Sequence, residues 1–130
     1  MIWNPVPTEV TTAATDAVLA ILCVVALGMI CRRRAFDPWK VGLWSWLLGL
    51  LALASVLGAI AHGFELTDRF RDLLWQPLYL CLGLVVALFA VAAIRDRLGE
   101  SAARQALPWL IVLGFGFFAI TRVGSGTFLV

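Results

Sequence analysis

Few side chains in this sequence could do chemistry within apolar surroundings, and they gather at one level. Asp16 opens an apolar run, His62 closes a second, Gln76 and Tyr79 open a third, and Thr121, Arg122 and Ser125 end a fourth. Ionisable groups embedded in a membrane are costly and are functional candidates for that reason. Asp16 and Arg122 could neutralise each other as an ion pair joining the first run to the fourth. His62 beside them could then bind a metal, pass protons or hydrogen-bond a lipid headgroup. Plainer roles compete with these. Asp16 suits the first turn of a helix, where the dipole favours an anion, and Arg122 could snorkel to headgroups. His62, Gln76 and Tyr79 could simply sit at an interface.

The counts limit the chemistry. One histidine provides neither a His-rich metal site nor bis-histidine haem ligation, so Asp16, Glu65 or Asp72 would have to complete any metal set. Cys23, Cys31 and Cys81 form no CxxC pair and read as small, unpaired apolar side chains. No catalytic or metal-ligating residue is assigned on this basis.

Those polar groups must be positioned by apolar elements. The chain is 130 residues long, 62% hydrophobic and 14% charged, with net charge +2 and mean hydropathy +0.97. Soluble domains carry about a quarter charged residues, and a short chain hides little of its surface. The apolar residues also come in blocks of about 20, enough to cross ~30 Å of hydrocarbon as helices. The pattern predicts an all-α integral membrane bundle of four transmembrane helices, over about residues 13–31, 38–63, 73–94 and 107–126. Residues 1–12, with Pro5 and Pro7, read as an extended lead-in, with Thr12 or Thr15 as the first cap. Asp37-Pro38 marks the second start, and Gly63 its left-handed stop. Pro77 falls near the third start. The stretch to Arg104 reads as a polar loop with room for a short interfacial helix. The N-terminus lacks the positive region of a cleavable signal, and the apolar ending points to a longer multi-pass protein.

The basic residues set an orientation. Arg32, Arg33, Arg34 and Lys40 surround the first link, and Arg95, Arg97 and Arg104 the third, whereas the second has Arg69 and Arg71 and the tail has none. By the positive-inside rule the first and third links are cytoplasmic and the N-terminus is outside, in a bacterial inner membrane. Trp39, Trp44, Trp46 and Trp109 then fall near the inner interface, and Trp75 and Tyr79 near the outer one. Basic residues confined to short links argue against nucleic acid as a partner.

Lipid offers no hydrophobic gain for helix association, so small residues should mark the contacts. Ser45, Gly49, Ala52, Ser55, Gly58 and Ala59 nominate the second helix as the most enclosed, with Gly116 and Ala119 on the fourth.

Thr15-Asp16 within TDAVLA, together with Gly58, His62 and Gly63 within GAIAHGF, resembles a family of uncharacterised bacterial multi-pass membrane proteins. That family in turn resembles the alkaline ceramidase, progestin-receptor-like and haemolysin III-like superfamily of membrane hydrolases. The resemblance implies zinc held by an early histidine, two later histidines and an aspartate, with a serine one turn before the first histidine. His62 matches the early histidine and Asp72 lies near the aspartate's spacing. Gly58 stands at the serine, and the later histidines have no counterpart.

Three functions follow as expectations. The first is a non-catalytic structural or accessory subunit, with the bilayer and a membrane-protein partner or further copies of itself around it. The second is a zinc-dependent lipid hydrolase of the ceramidase-like type at the outer face. The third is a small proton-coupled transporter using Asp16, against which stands the position of Asp16 near a helix end.

Overall fold

The computed structural model describes residues 2–32, 35 and 37–124. Four helices, α1 (Pro7–Cys31), α2 (Pro38–Gly63), α3 (Asp68–Leu98) and α4 (Glu100–Gly124), are joined by short links. Each is long and apolar enough to cross a membrane. Two short strands, β1 (Ile2–Trp3) and β2 (Phe64–Glu65), pair antiparallel with Ile2 opposite Glu65 and Trp3 opposite Phe64. The helices pack in chain order, α1 on α2, α2 on α3 and α3 on α4. One end of the bundle carries His62 and the α2–α3 link; the other carries Arg95 and the α3–α4 link.

Several boundaries depart from the sequence expectation. α1 starts at Pro7, inside the supposed lead-in. Proline's fixed φ suits the first helical position, where its missing N–H costs nothing. The threonines of this polar stretch do not end the helix. Thr11 Oγ1 donates to the Pro7 carbonyl at 2.9 Å, Thr12 Oγ1 to Thr8 at 3.0 Å and Thr15 Oγ1 to Thr12 at 2.8 Å. Such back-bonding lets hydroxyls sit within a helix, so neither Thr12 nor Thr15 is a cap.

α3 begins at Asp68, which leaves Pro77 inside the helix. α3 runs for 31 residues, ~46 Å at helical rise, more than a hydrocarbon core requires. The expected third loop is helical except for Gly99. This glycine has φ +91°, the one positive φ among the described residues, and turns the chain directly from α3 into α4. Its N–H bonds to the Arg95 carbonyl at 2.9 Å. Glu100 and Arg104, one turn apart, pair at 2.7 Å and support the new helix.

Asp37 caps α2 as expected, its Oδ1 accepting from the Lys40 amide at 3.0 Å. Gly63 does not close that helix in a left-handed conformation. Asn4 does, through its amide N–H on the Gly63 carbonyl at 3.1 Å and its Nδ2 on the His62 carbonyl at 3.2 Å. Helix-end carbonyls lack intrahelical partners, and here the start of the chain supplies them.

The contact residues also differ. α2 and α3 are the two most enclosed helices, with eight residues buried on α2 and seven on α3 against three on α1. Ser55 and Gly58 are buried, whereas a Cβ at Gly49 or Gly116 would meet open space. The tight contact is Gly83 on Gly114. A Cβ on Gly83 would lie 2.8 Å from the Gly114 carbonyl oxygen, and one on Gly114 would lie 3.0 Å from that of Gly83. Towards the Arg95 end, Leu43 and Leu47 of α2 meet Leu88, Val91 and Ala92 of α3 and Ala103 of α4 in a buried apolar cluster. Arg33, Arg34, Ser125 and the expected fourth-helix end at 126 lie outside the described residues.

These contacts separate two glycines. Gly83→Ala is expected to destabilise the chain by ~1–3 kcal/mol, because its nearest neighbour is the Gly114 backbone, which cannot yield as a side-chain end can. Gly49→Ala is expected to stay within ~0.5 kcal/mol. Denaturant unfolding of both variants in mixed micelles checks this; equal stability of the two would refute the Gly83–Gly114 contact.

Candidate functional site

The polar residues at the His62 end are placed by two helical stripes. On α1, Glu9, Ala13, Asp16, Ala20 and Cys23 recur at alternating spacings of four and three and are buried or half-buried. They face α2. On α3, Asp68, Arg71, Asp72, Trp75, Gln76 and Tyr79 recur at three and four and also share one side.

Glu9 completes the first cluster. Its Oε2 lies 2.6 Å from Nδ1 of His62, whose side chain is 24% exposed. The Trp75 ring meets the imidazole edge-on at 5.5 Å between centroids, and Tyr79 stacks on Trp75 at 5.5 Å. His62 is thus held between a carboxylate from α1 and an aromatic pair from α3. Glu9 was missed because its segment read as extended lead-in. Its signal was the seven-residue spacing to Asp16, which puts both acids on one helical face.

Asp16 does not pair with Arg122. Its carboxylate packs on Gly58 of α2, where an added Cβ would lie 2.5 Å from Oδ2. Arg122, on α4, donates from Nη1 to Oε1 of Gln76 at 2.6 Å. The two residues belong to helices that do not pack together; α1 leans on α2 and α4 on α3. The earlier start of α1 also changes the setting of Asp16. It lies nine residues beyond Pro7, ~14 Å along the axis, and not in an opening turn.

Two clefts open at this end. One, of about 420 Å³, is lined by Asn4, Glu9, His62, Glu65, Arg71 and Trp75 among others. The second, of about 760 Å³, lies between α3 and α4 and takes in Gln76, Tyr79, Thr121 and Arg122. Arg71 and Trp75 line both. The expected cluster therefore divides: Gln76, Tyr79 and Arg122 share one cleft, His62 lines the other, and Asp16 lies deeper in the α1–α2 seam.

The residues do not compose the zinc set implied by the hydrolase resemblance. Among the described residues no group of three or more His, Cys, Asp or Glu side chains is placed to hold a metal ion. Asp72 lines the α3–α4 cleft and not the one that His62 lines. Cys23 and Cys81 are buried and unpaired, but Cys31 is exposed, with Sγ 3.7 Å from Ser45 Oγ.

The opposite end holds a cluster that single-residue reading did not assemble. Arg95, 17% exposed, forms a short ion pair with Asp37 and lies 3.7 Å from Asp96 and 3.9 Å from Glu100. Lys40 reaches Asp96 at 3.6 Å. Arg95 and Arg104 both lie over the Trp39 ring, at 5.8 and 5.1 Å from its centroid. Arg95 and Arg97 had read only as markers of a helix end and of sidedness.

The chain belongs to the DUF6962 family, a family of unknown function, whose profile matches residues 11–130. The match takes in His62, Gln76, Tyr79 and Arg122, while Asn4 and Glu9 precede it. No curated protein and no solved structure matches the chain.

If His62 and Glu9 hold each other, their effects on stability must be coupled. A double-mutant cycle with Glu9→Gln and His62→Ala is expected to give ~0.5–1.5 kcal/mol, the range of a charge-assisted bond reduced for partial exposure. Additive effects in a micellar unfolding assay would exclude the interaction.

Proposed function

We infer that this member of the DUF6962 family is a four-span membrane protein with its N-terminus outside, acting as a non-catalytic structural or accessory module of a bacterial inner membrane. The observation that carries the reading is where its polar side chains are spent. His62 is engaged with Glu9, Gln76 with Arg122, and Arg95 with Asp37, and each pair joins two different helices. A hydrolytic site needs an activated nucleophile or metal-bound water beside a group that moves protons. Here the one histidine braces α1 against α2. Sidedness is supported by the basic residues around the Arg95 end, since cytoplasmic links carry the excess of Lys and Arg.

Association tests the role. Extracted in digitonin at native expression, the protein is expected to migrate with another membrane protein in fixed ratio or as several copies of itself. A monomer that cleaves ceramide-type amides when supplied with zinc would overturn the reading. Sidedness has its own readout: Cys31 should resist an impermeant maleimide in intact cells and react after permeabilisation, while a cysteine replacing Thr8 reacts in both.

One observation favours a second reading, proton-coupled transport. The depth of Asp16 along α1 removes the objection drawn from its position at a helix end. No ion pair or hydrogen bond joins its carboxylate to another described residue. In reconstituted vesicles, a proton flux that disappears in Asp16→Asn would establish this reading over the first; equal flux in both would remove it.

A further inference from the structure

The α3–α4 cleft has a chemical order that the pairs just described do not explain. Its walls are two helical stripes, Asp68 to Tyr79 on α3 and Phe118, Thr121 and Arg122 on α4. Successive turns of the α3 stripe carry Asp68, then Arg71 and Asp72, then Trp75 and Gln76, then Tyr79. The stripe spans ~16 Å at helical rise. Charged groups stand at the mouth, amide and indole below them, and phenol and phenyl rings at the bottom. One turn deeper, the Gly83–Gly114 contact brings the two backbones together and closes the cleft.

The charges are balanced as well as layered. Two guanidiniums, Arg71 and Arg122, face two carboxylates, Asp68 and Asp72. Among the described residues, Asp68, Arg71 and Asp72 form no ion pair with one another, although they stand three and four residues apart. Arg122 is oriented by its bond to Gln76, and Trp75 and Tyr79 present stacked rings beside them. Guanidiniums suit a phosphate, whereas carboxylates and aromatic faces suit an ammonium. An anion alone would meet Asp68 and Asp72 as repulsion, and a cation alone would meet the two arginines.

We propose that this cleft binds a zwitterionic headgroup, a phosphate ester carrying an ammonium two carbons away, as in phosphatidylethanolamine. The phosphate lies against Arg71 and Arg122 and the ammonium against Asp68, Asp72 and the Trp75 face. The glycerol reaches Gln76 and Thr121, and the first methylenes meet Tyr79 and Phe118. The polarity of the cleft then follows that of a lipid from headgroup to acyl chain. The proposal rests on the membrane-spanning reading and adds a ligand that reading does not require.

The test uses the purified full chain in dodecyl maltoside, titrated with phosphatidylethanolamine, with phosphatidylglycerol and with soluble phosphoethanolamine, bound species being read by native mass spectrometry. Phosphatidylethanolamine is expected to bind about tenfold more tightly than phosphatidylglycerol. Arg122→Gln and Asp72→Asn should each weaken it about tenfold, the loss of one charge-assisted contact. Circular dichroism confirms that each variant is folded, and Leu98→Ala, at the far end, should bind as wild type. Soluble phosphoethanolamine binding as tightly as the lipid would uphold the zwitterion chemistry and give it a soluble source. Equal retention of the two lipids, or wild-type binding by both folded cleft variants, would overturn the proposal. Failure of the membrane-spanning reading shows separately, as a chain that stays monomeric and soluble without detergent.

Discussion

Arg95 is the point on which the bundle turns. Its guanidinium joins the first turn of α2, through Asp37, to the last turns of α3, and lies near Glu100 at the start of α4. A guanidinium at 17% exposure is tolerable only with compensating anions. Asp37, Asp96 and Glu100 provide them, and the Trp39 ring covers one face. Removing Asp37 would uncap α2 and leave Arg95 short of its nearest anion in one step. The apolar cluster of Leu43, Leu47, Leu88, Val91 and Ala103 sits directly below this knot. Side-chain packing and ion pairing thus reinforce each other at one end of three helices.

The other end is held differently. Where lipid gives no hydrophobic reward for contact, helices need close backbone approach or polar bonds between them. α3 and α4 have the first at Gly83 and Gly114, and α1 and α2 have the second through His62 and Glu9, with Asp16 and Ala13 of α1 seated on Gly58 and Gly63. Above the glycine contact α3 and α4 enclose the larger cleft, of about 760 Å³, whereas at the Arg95 end Gly99 alone joins these two helices. The ion-pair network at one end and the polar cleft at the other follow from where the charges and the small residues fall.

Four apolar helices could be read from hydropathy because block length is a property of composition alone. Asp37-Pro38 was equally readable, since capping is local chemistry. The helix starts at Pro7, Asp68 and Glu100 were harder, because threonines, mixed charges and a Ser-Ala-Ala-Arg stretch look like loop until their back-bonds and one-turn ion pairs are counted. The site was readable in part. Gln76, Tyr79 and Arg122 share a level along parallel axes, and the structure puts them in one cleft. Asp16 shares that level in the sequence but not that side of the bundle, and nothing in a single chain pattern states which helices are neighbours. Glu9 was hidden by a wrong boundary, and Gly83 with Gly114 by the abundance of other small residues.

The ribbon of Ile2–Trp3 on Phe64–Glu65 has a consequence for the order of assembly. Its two strands are separated by both α1 and α2, so it cannot form until the ribosome has released residues beyond Glu65. Until then α2 ends in carbonyls that Asn4 has not reached, and Glu9 has no imidazole to meet. Ile2–Trp3 are therefore made early and seated late, after the helical hairpin that follows them. A bulky extension fused ahead of Ile2 would act on that closing step more than on the formation of any helix.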